Sequence, residues 1–419
     1  MMSSEQKKIF VYDDFTSDFP ILMGMLYVSV VKGKEAYSFE FDKVWLKESD
    51  LSIVIDPFLM PYEGRQYPIG NYIFGVFSDS CPDRWGRLLM NKRERILAEK
   101  EKRKPAKLHD SDYLLGVYDE VRMGGIRFKT EENGPFQSYD ISNSVPPWAM
   151  LRALEDASRN FENDENGLSD KWINQLIKPG SSLGGSRPKA TIADANGQLW
   201  IAKFPSKNDT YDVGAWEMAV HDLALMCGLD APEAMLCKFS NLGSTFLVKR
   251  FDRKGKKRIH FSSAMTVLGK TDGESAIDGI SYLDIASFIK SSGSNPKSDL
   301  IELWKRIVFN IAVSNTDDHL RNHAFLLFHD GWKLSPLYDI NPVPYGNELS
   351  LNVDEYDNSI SVGLAIETAS KFCIDKAQAE VYAKTILRIV RENWIDLALK
   401  YGLSHREIEE MRPAFSACY

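Results

Sequence analysis

The sequence predicts an α+β chain, with strands gathered toward its front and helices toward its back. Three observations carry this. Roughly the first 128 residues hold runs of β-branched and aromatic residues. Turn signals of hairpin type sit between short apolar runs at Asp194-Ala-Asn-Gly197 and His329-Asp-Gly331. From Ser281 onward apolar residues recur mostly at helical spacing.

Composition narrows the class. The 419 residues include 9 Trp, 17 Tyr and 22 Phe, which argues for a packed core and against disorder. Lys and Arg number 51 against 59 Asp and Glu, a net charge of −8 that disfavours a dedicated nucleic-acid binder and leaves room for a local basic patch. The start MMSSEQKKIF has no apolar signal core, and Ile21–Val31, the longest apolar stretch, is too short to span a bilayer. Cys81, Cys227, Cys237, Cys373 and Cys418 are scattered and lack a CxxC pair. They fit a reducing compartment, each as a small buried hydrophobe, with no disulfide frame or zinc site. No repeat of 20–50 residues is present.

Taken in order, Ile21–Val31 and Tyr37–Phe41 read as strands joined by a turn at Lys32-Gly33-Lys34. Arg84–Lys107 reads as a polar helix whose mixed charges suit a solvated face. Thr130–Pro147, with Gly134 and three prolines, reads as a linker. A helix follows over Trp148–Phe161, then a Gly/Ser-rich stretch over 179–186. Strands are expected at Ala190–Ala193, Gln198–Phe204 and Thr245–Phe251, and helices at Val213–Cys227 and Glu302–Ser314. Val381, Ile386, Ile389, Val390, Ile395 and Leu397 mark a helix over Ala377–Leu397. This organisation divides the chain into a β-rich 1–130, a second part over 148–253 and a helical 254–419.

Two constellations carry chemistry. The first begins at Ser182-Leu-Gly-Gly-Ser-Arg-Pro-Lys189, which is not a Walker A loop. Gly184 and Gly185 let backbone approach a phosphate, Ser186 lies among the N–H groups of a possible anion nest, and Lys189 adds a point charge. The same composition also suits a plain linker. A hairpin follows, whose second strand carries Lys203 among apolar residues, a costly placement for an unpaired ammonium. Fourteen residues on, Glu217 falls in the expected helix. Gly-rich loop, hairpin, strand lysine and helix glutamate is the order of a protein-kinase N-lobe. On this segment alone the pair could equally be a structural ion pair or two surface residues. In the kinase reading Thr245–Phe251 leads to a hinge, and the backbone of Lys249 and Phe251 faces adenine.

The second constellation is Asn315-Thr-Asp317-Asp-His319-Leu-Arg-Asn322, directly after an amphipathic helix. Asp317 and Asn322 are five apart, the spacing of the base and the metal-holding amide in a kinase catalytic loop. A carboxylate can take the proton of an attacking hydroxyl, and an amide oxygen can help hold magnesium. A further hairpin delivers Tyr338-Asp339 to the place of the second metal-holding aspartate, with Ile340 where glycine usually follows. Polar residues at 315–322 also suit a capped helix end. His319 could be a phosphate contact, a metal neighbour or a packed imidazole.

With these residues in view, the chain resembles the HipA-like serine/threonine kinases, toxins of bacterial type II toxin–antitoxin pairs. The resemblance rests on Ser182–Lys189, Lys203, Lys249–Phe251, Asn315–Asn322 and Tyr338–Asp339, and in the front part on 74–86, 112–119 and 124–128. It implies a bilobal protein-kinase-like fold with a β-rich N-lobe and an all-helical C-lobe. It implies Asp317 as catalytic base, Asn322 and Asp339 as magnesium ligands, and Lys189, Lys203 and the 184–189 backbone as holders of ATP phosphates. It implies autophosphorylation of Ser182, or of Ser181 beside it, which ejects the loop and silences the enzyme. The implied partners are a protein substrate such as an aminoacyl-tRNA synthetase and a helix-turn-helix antitoxin, with DNA reached only through the antitoxin, in the cytoplasm. A nucleotide-binding scaffold in an antitoxin–DNA complex and a small-molecule kinase are the alternatives.

Overall fold

A computed structural model describes residues 6–48, 54–69, 73–137, 145–163, 176 and 185–419. The chain divides into two compact units, Met1–Lys207 with Asp252–Ser262, and Asn208–Phe251 with Ser263–Tyr419.

The first unit is built on a five-stranded antiparallel sheet. Its strands are β1 (Lys7–Asp13), β2 (Ile21–Val31), β3 (Lys34–Phe41), β4 (Arg65–Gln66) and β5 (Ile126–Lys129), in the order β4-β3-β2-β1-β5. Val31 pairs with Lys34, so Lys32 and Gly33 alone make the β2–β3 turn. Both have positive φ, 51° and 74°, the geometry that matches the twist of the flanking strands. Ile9, Val11, Met23, Leu26 and Phe39 are fully buried on this sheet. The helix expected over Arg84–Lys107 ends at Lys100. Pro105 bars the helical conformation to Lys104, and Lys102 turns the chain at a φ of 54°.

Residues 252–262 return to this unit and close it. Arg258 lies 3.3 Å from Asp14 and 3.2 Å from Asp119, and Arg127 binds the same two carboxylates. Burial opposes the charge of Asp119, but Arg258 and then Arg127 outweigh it and hold its carboxyl below the usual range. A helix over Leu151–Asn163 and the hairpin of β6 (Lys189–Ala193) and β7 (Leu199–Lys203) complete the described part of the unit.

The second unit is mostly helical. Its helices run over Val213–Met226, Tyr282–Ser292, Pro296–Ala312, Val362–Thr368, Lys376–Lys400 and His405–Met411. Trp394 on the long helix stacks on Phe415 at 4.3 Å, and Trp216 lies 6.4 Å beyond, ring to ring. In the helix over Lys376–Lys400, Ile386, Val390 and Leu397 face the core as expected, joined by Trp394, whereas Val381 is exposed. The helix placed at Glu302–Ser314 starts earlier, because Pro296 occupies a first-turn position where its missing N–H costs nothing.

The all-helical C-lobe that the resemblance implies is corrected by the hairpin that the turn signal at His329-Asp-Gly331 predicts. Ala324–Phe328 and Gly331–Leu334 pair as a hairpin in this unit. Gly331 closes the turn at a φ of 127°, a conformation side-chain-bearing residues rarely adopt. β8 (Ala234–Cys237) and β9 (Thr245–Lys249) form a second hairpin. Cys373 also departs from expectation, being exposed in a turn at a φ of 61°. Among the described residues no helix is long and apolar enough to cross a membrane.

Candidate active site

The loop that follows Pro296–Ala312 is shaped by its own hydrogen bonds. Ser314 takes a φ of 46° and reverses the chain. The Asn315 N–H then donates back to the Asn310 carbonyl at 2.9 Å, and its side-chain amide donates to Asn310 Oδ1 at 3.0 Å. Ahead of the loop's end, the Asn322 N–H donates to the His319 carbonyl at 2.8 Å. The Asn322 side-chain amide donates to the carbonyl of Asp317 at 3.0 Å. This bond ties together the two residues that the five-residue spacing singled out. It uses the nitrogen of the amide and leaves its oxygen as the group suited to a cation.

Under the loop lies a hub absent from the sequence-based site. Asp318 is buried, and its Oδ2 accepts from Tyr282 at 2.6 Å and Asn310 at 2.7 Å. His323 Nε2 lies 2.8 Å from the same oxygen. Burial works against the charge of Asp318, but the His323 ring and the hydrogen bonds from His323 and Tyr282 outweigh it. Its carboxyl is therefore held below the usual carboxylate range. Asp317, by contrast, is exposed at the loop's outer edge. The local signal for this hub is Asn310, an amide between Phe309 and Ile311 in the otherwise apolar, buried stretch Ile307–Ala312 of its helix.

Tyr338 and Asp339 arrive from the hairpin. The Tyr338 hydroxyl donates to the Arg321 carbonyl at 2.6 Å, and its ring lies 5.7 Å from that of Phe251. Asp339 holds a φ of 59°, an uncommon state for a residue with a side chain. Just beyond, the Asn341 N–H donates to Asn315 Oδ1 at 3.3 Å. Among the described residues, the Asn341 side-chain oxygen is buried without a partner, as is His319 Nδ1. The structure thus brings Asp317, His319, Asn322, Tyr338 and Phe251 into one region of the second unit, with Asp339 next in chain to Tyr338. The Lys249 N–H donates to the Glu233 carbonyl at 2.8 Å, so that N–H is not the backbone group that would meet adenine. The Lys249 ammonium lies 3.2 Å from the Glu233 carboxylate.

Glu217 is buried within Val213–Met226. That helix is capped by Asp212, which accepts from the Ala215 N–H at 3.1 Å and the Ser244 N–H at 2.9 Å. In the first unit Lys203 is half-buried on β7, directly opposite Lys189 in the register. Two ammonium groups at such a cross-strand pair repel unless an anion joins them. Lys189 has one from the protein: its Nζ lies 2.9 Å from Asp83 and donates to the Gly185 carbonyl at 2.9 Å. At 2% exposure its ammonium is engaged by Asp83 and the Gly185 carbonyl, whereas the resemblance implies a contact with ATP phosphates. Gly185 and Ser186 are described; Ser181, Ser182 and Gly184 lie outside the described residues.

The profile of the HipA-like C-terminal domain matches residues 181–394, more than half of the chain. The chain belongs to the HipA-like family. Across nearly its whole length this HipA-like chain is similar to one in the complex of HipA, HipB and operator DNA from the Shewanella oneidensis MR-1 toxin–antitoxin system. The TM-score is 0.68 at 17% identity, over 97% of this chain and 96% of that one, so the likeness is one of fold. Two provisionally named kinases also match: Y4dM of Sinorhizobium fredii, 29% identical over 36% of this chain, and one from Haemophilus influenzae, 29% identical over 40%. The matched stretches span 40% and 56% of those relatives' own lengths.

Proposed function

We propose that this HipA-like chain is an ATP- and magnesium-dependent serine/threonine protein kinase. The observation that carries the reading is the Asn322–Asp317 clamp, with Tyr338 pinning the segment of Asp339 to the same loop. In this reading 148–253 and 254–419 are the two kinase lobes, behind a subdomain over 1–130. Asp317 takes the proton of the substrate hydroxyl as that oxygen attacks the γ-phosphorus; the bond to the ADP oxygen breaks and ADP leaves. Lys203 and the backbone of 184–189 hold phosphates, Glu217 is the counter-charge assigned to Lys203, and Phe251 borders the base.

The donors at the loop fit magnesium. Asn322 and Asp339 offer oxygen, and the buried oxygen of Asn341 belongs to the same hydrogen-bonded segment. Among the described residues no three His, Cys, Asp or Glu side chains cluster as a metal cage. One carboxylate plus an amide suits an ion that keeps water and substrate phosphates as its other ligands. When bound, magnesium would neutralise charge on the β- and γ-phosphates.

The proposed substrate is a protein such as an aminoacyl-tRNA synthetase. The proposed regulators are a helix-turn-helix antitoxin, which would connect the chain to DNA, and self-phosphorylation at Ser182 or Ser181. Incubation with magnesium and labelled ATP, followed by intact mass and peptide mapping, tests the reading. Asp317→Asn should bind Mg-ATP yet lose about 10²–10⁴-fold in transfer. Wild-type transfer in that variant would remove Asp317 from its role. Nucleotide binding without transfer by the wild-type chain would favour the scaffold alternative.

A further inference from the structure

The buried pair of Asp83 and Lys189 joins two segments of the first unit that are far apart in sequence. Asp83 caps the helix Arg84–Lys100, accepting from the Gly86 N–H at 2.8 Å through Oδ1. Its other oxygen faces the Lys189 ammonium at 2.9 Å. Both side chains are almost wholly withdrawn from solvent, at 3% and 2% exposure. Lys189 spends a second proton on the carbonyl of Gly185. A Cβ added to Gly185 would meet nothing within 4 Å, so packing gives this residue little support at that side.

We infer that Asp83 is a positioning residue for the nucleotide: through Lys189 it anchors the C-terminal stem of the Gly-rich loop. The inference rests on the proposed kinase reading and refines it. Lys189 is taken up in holding Gly185, and Lys203, opposite it on β7, becomes the lysine that meets phosphate. A carboxylate beside Lys189 makes the same assignment, because an anionic phosphate drawn to that ammonium would also approach Asp83. Burial pushes the Asp83 carboxyl up and the Lys189 ammonium opposes the shift, so the carboxylate charge leans on its partner. Removing one partner strands a buried charge, whereas removing both leaves a neutral contact.

The test uses the full chain with Asp83→Asn, Lys189→Met and the double variant. Asparagine keeps the helix cap and loses the charge. Each single variant should raise the Kd and KM for Mg-ATP about tenfold, with kcat nearly unchanged, as a displaced binding element does. The double variant should bind no more weakly than the weaker single one. It should melt higher than Asp83→Asn, which isolates the stranded charge. Hydrogen exchange over 185–189, read without nucleotide, should quicken in Asp83→Asn. Unaltered exchange there overturns the anchor whatever the chain binds. Wild-type ATP affinity in Asp83→Asn, with only the melting temperature lowered, reduces the pair to a structural one and also overturns it. Losses that multiply in the double variant would overturn it too, because Lys189 would then act on the nucleotide by itself. Failure of the wild-type chain to bind ATP would instead count against the kinase reading, and the exchange result would still decide the anchor.

Discussion

The loop over 315–322 and the stem at 185–189 are held in opposite ways. The first is fixed from several sides. Asn310, Tyr282 and His323 converge on Asp318 beneath it, Asn322 clamps its middle, and Tyr338 holds its far end. The second is tied at its strand end, where the Phe204 N–H donates to the Pro188 carbonyl at 2.8 Å and Arg187 reaches the Phe204 carbonyl at 3.5 Å, while at Gly185 a lysine reaches back to the carbonyl. A group that must meet a proton at a set distance gains from many constraints. A loop that admits and releases a charged ligand gains from few. The comparison teaches that the degree of anchoring, as much as residue type, separates a catalytic element from a gripping one.

The largest effect should come from the hub. Asp318→Ala leaves Tyr282, Asn310 and His323 without their shared acceptor and should cost about 3–5 kcal/mol, read from denaturant unfolding. A loss within experimental error would break the comparison, since the loop would then owe its shape to something else.

Acid should act on the two units through different groups. His260, buried in the first unit and stacked on Phe15 at 4.6 Å, is pushed down to about 3 by desolvation. The unfolded chain binds this proton below its ordinary value of 6.5 while the folded chain refuses it, so stability falls from pH 6.5 down to about 3. Asp318 is shifted below 3.8, and its contribution is lost only as pH falls beneath that value. Asp56 in the same unit as His260, pushed up to about 6 by burial, works in the opposite sense, so the His260 share is read by difference: His260→Phe should flatten the loss of hydrogen-exchange protection around residue 260 between pH 6.5 and about 3. An acid profile unaltered in His260→Phe would contradict the assignment.

A pair of glycines gives the smallest effects. A Cβ at Gly346 would sit 2.4 Å from Thr316 Cγ2, beside the fixed loop, and Gly346→Ala should cost about 1–3 kcal/mol. Gly185→Ala should stay within about 0.5 kcal/mol, because its Cβ would point into open space. Equal melting temperatures for the two variants would erase the distinction.

Much of this was legible in the residues. Ile21–Val31 declares itself by its β-branched and aromatic content, and the hairpins by their turns. The Asp317–Asn322 spacing exposed the loop because its chemistry is local in sequence. The hub was hidden because Tyr282 reaches Asp318 across 36 residues, and nothing around either position announces the other. Lys189 misled for the same reason: a lysine closing a glycine-rich run looks available until Asp83, in a distant segment, is seen to hold it. The helix from Arg84 was overextended because its polar residues run on without a break in pattern, while the turn at Lys102 depends on backbone conformation.

The division of the chain also bears on its birth at the ribosome. Residues 252–262 belong to the first unit but are made after 208–251, which belong to the second. Until they emerge, Asp119 lacks Arg258 and Gly124 lacks Asp252, whose carboxylate accepts its N–H at 2.9 Å. At roughly 5–20 residues per second, the nascent first unit waits on the order of seconds for its closing segment. The front of this protein therefore cannot finish folding before the second unit has begun to appear, and synthesis couples the two.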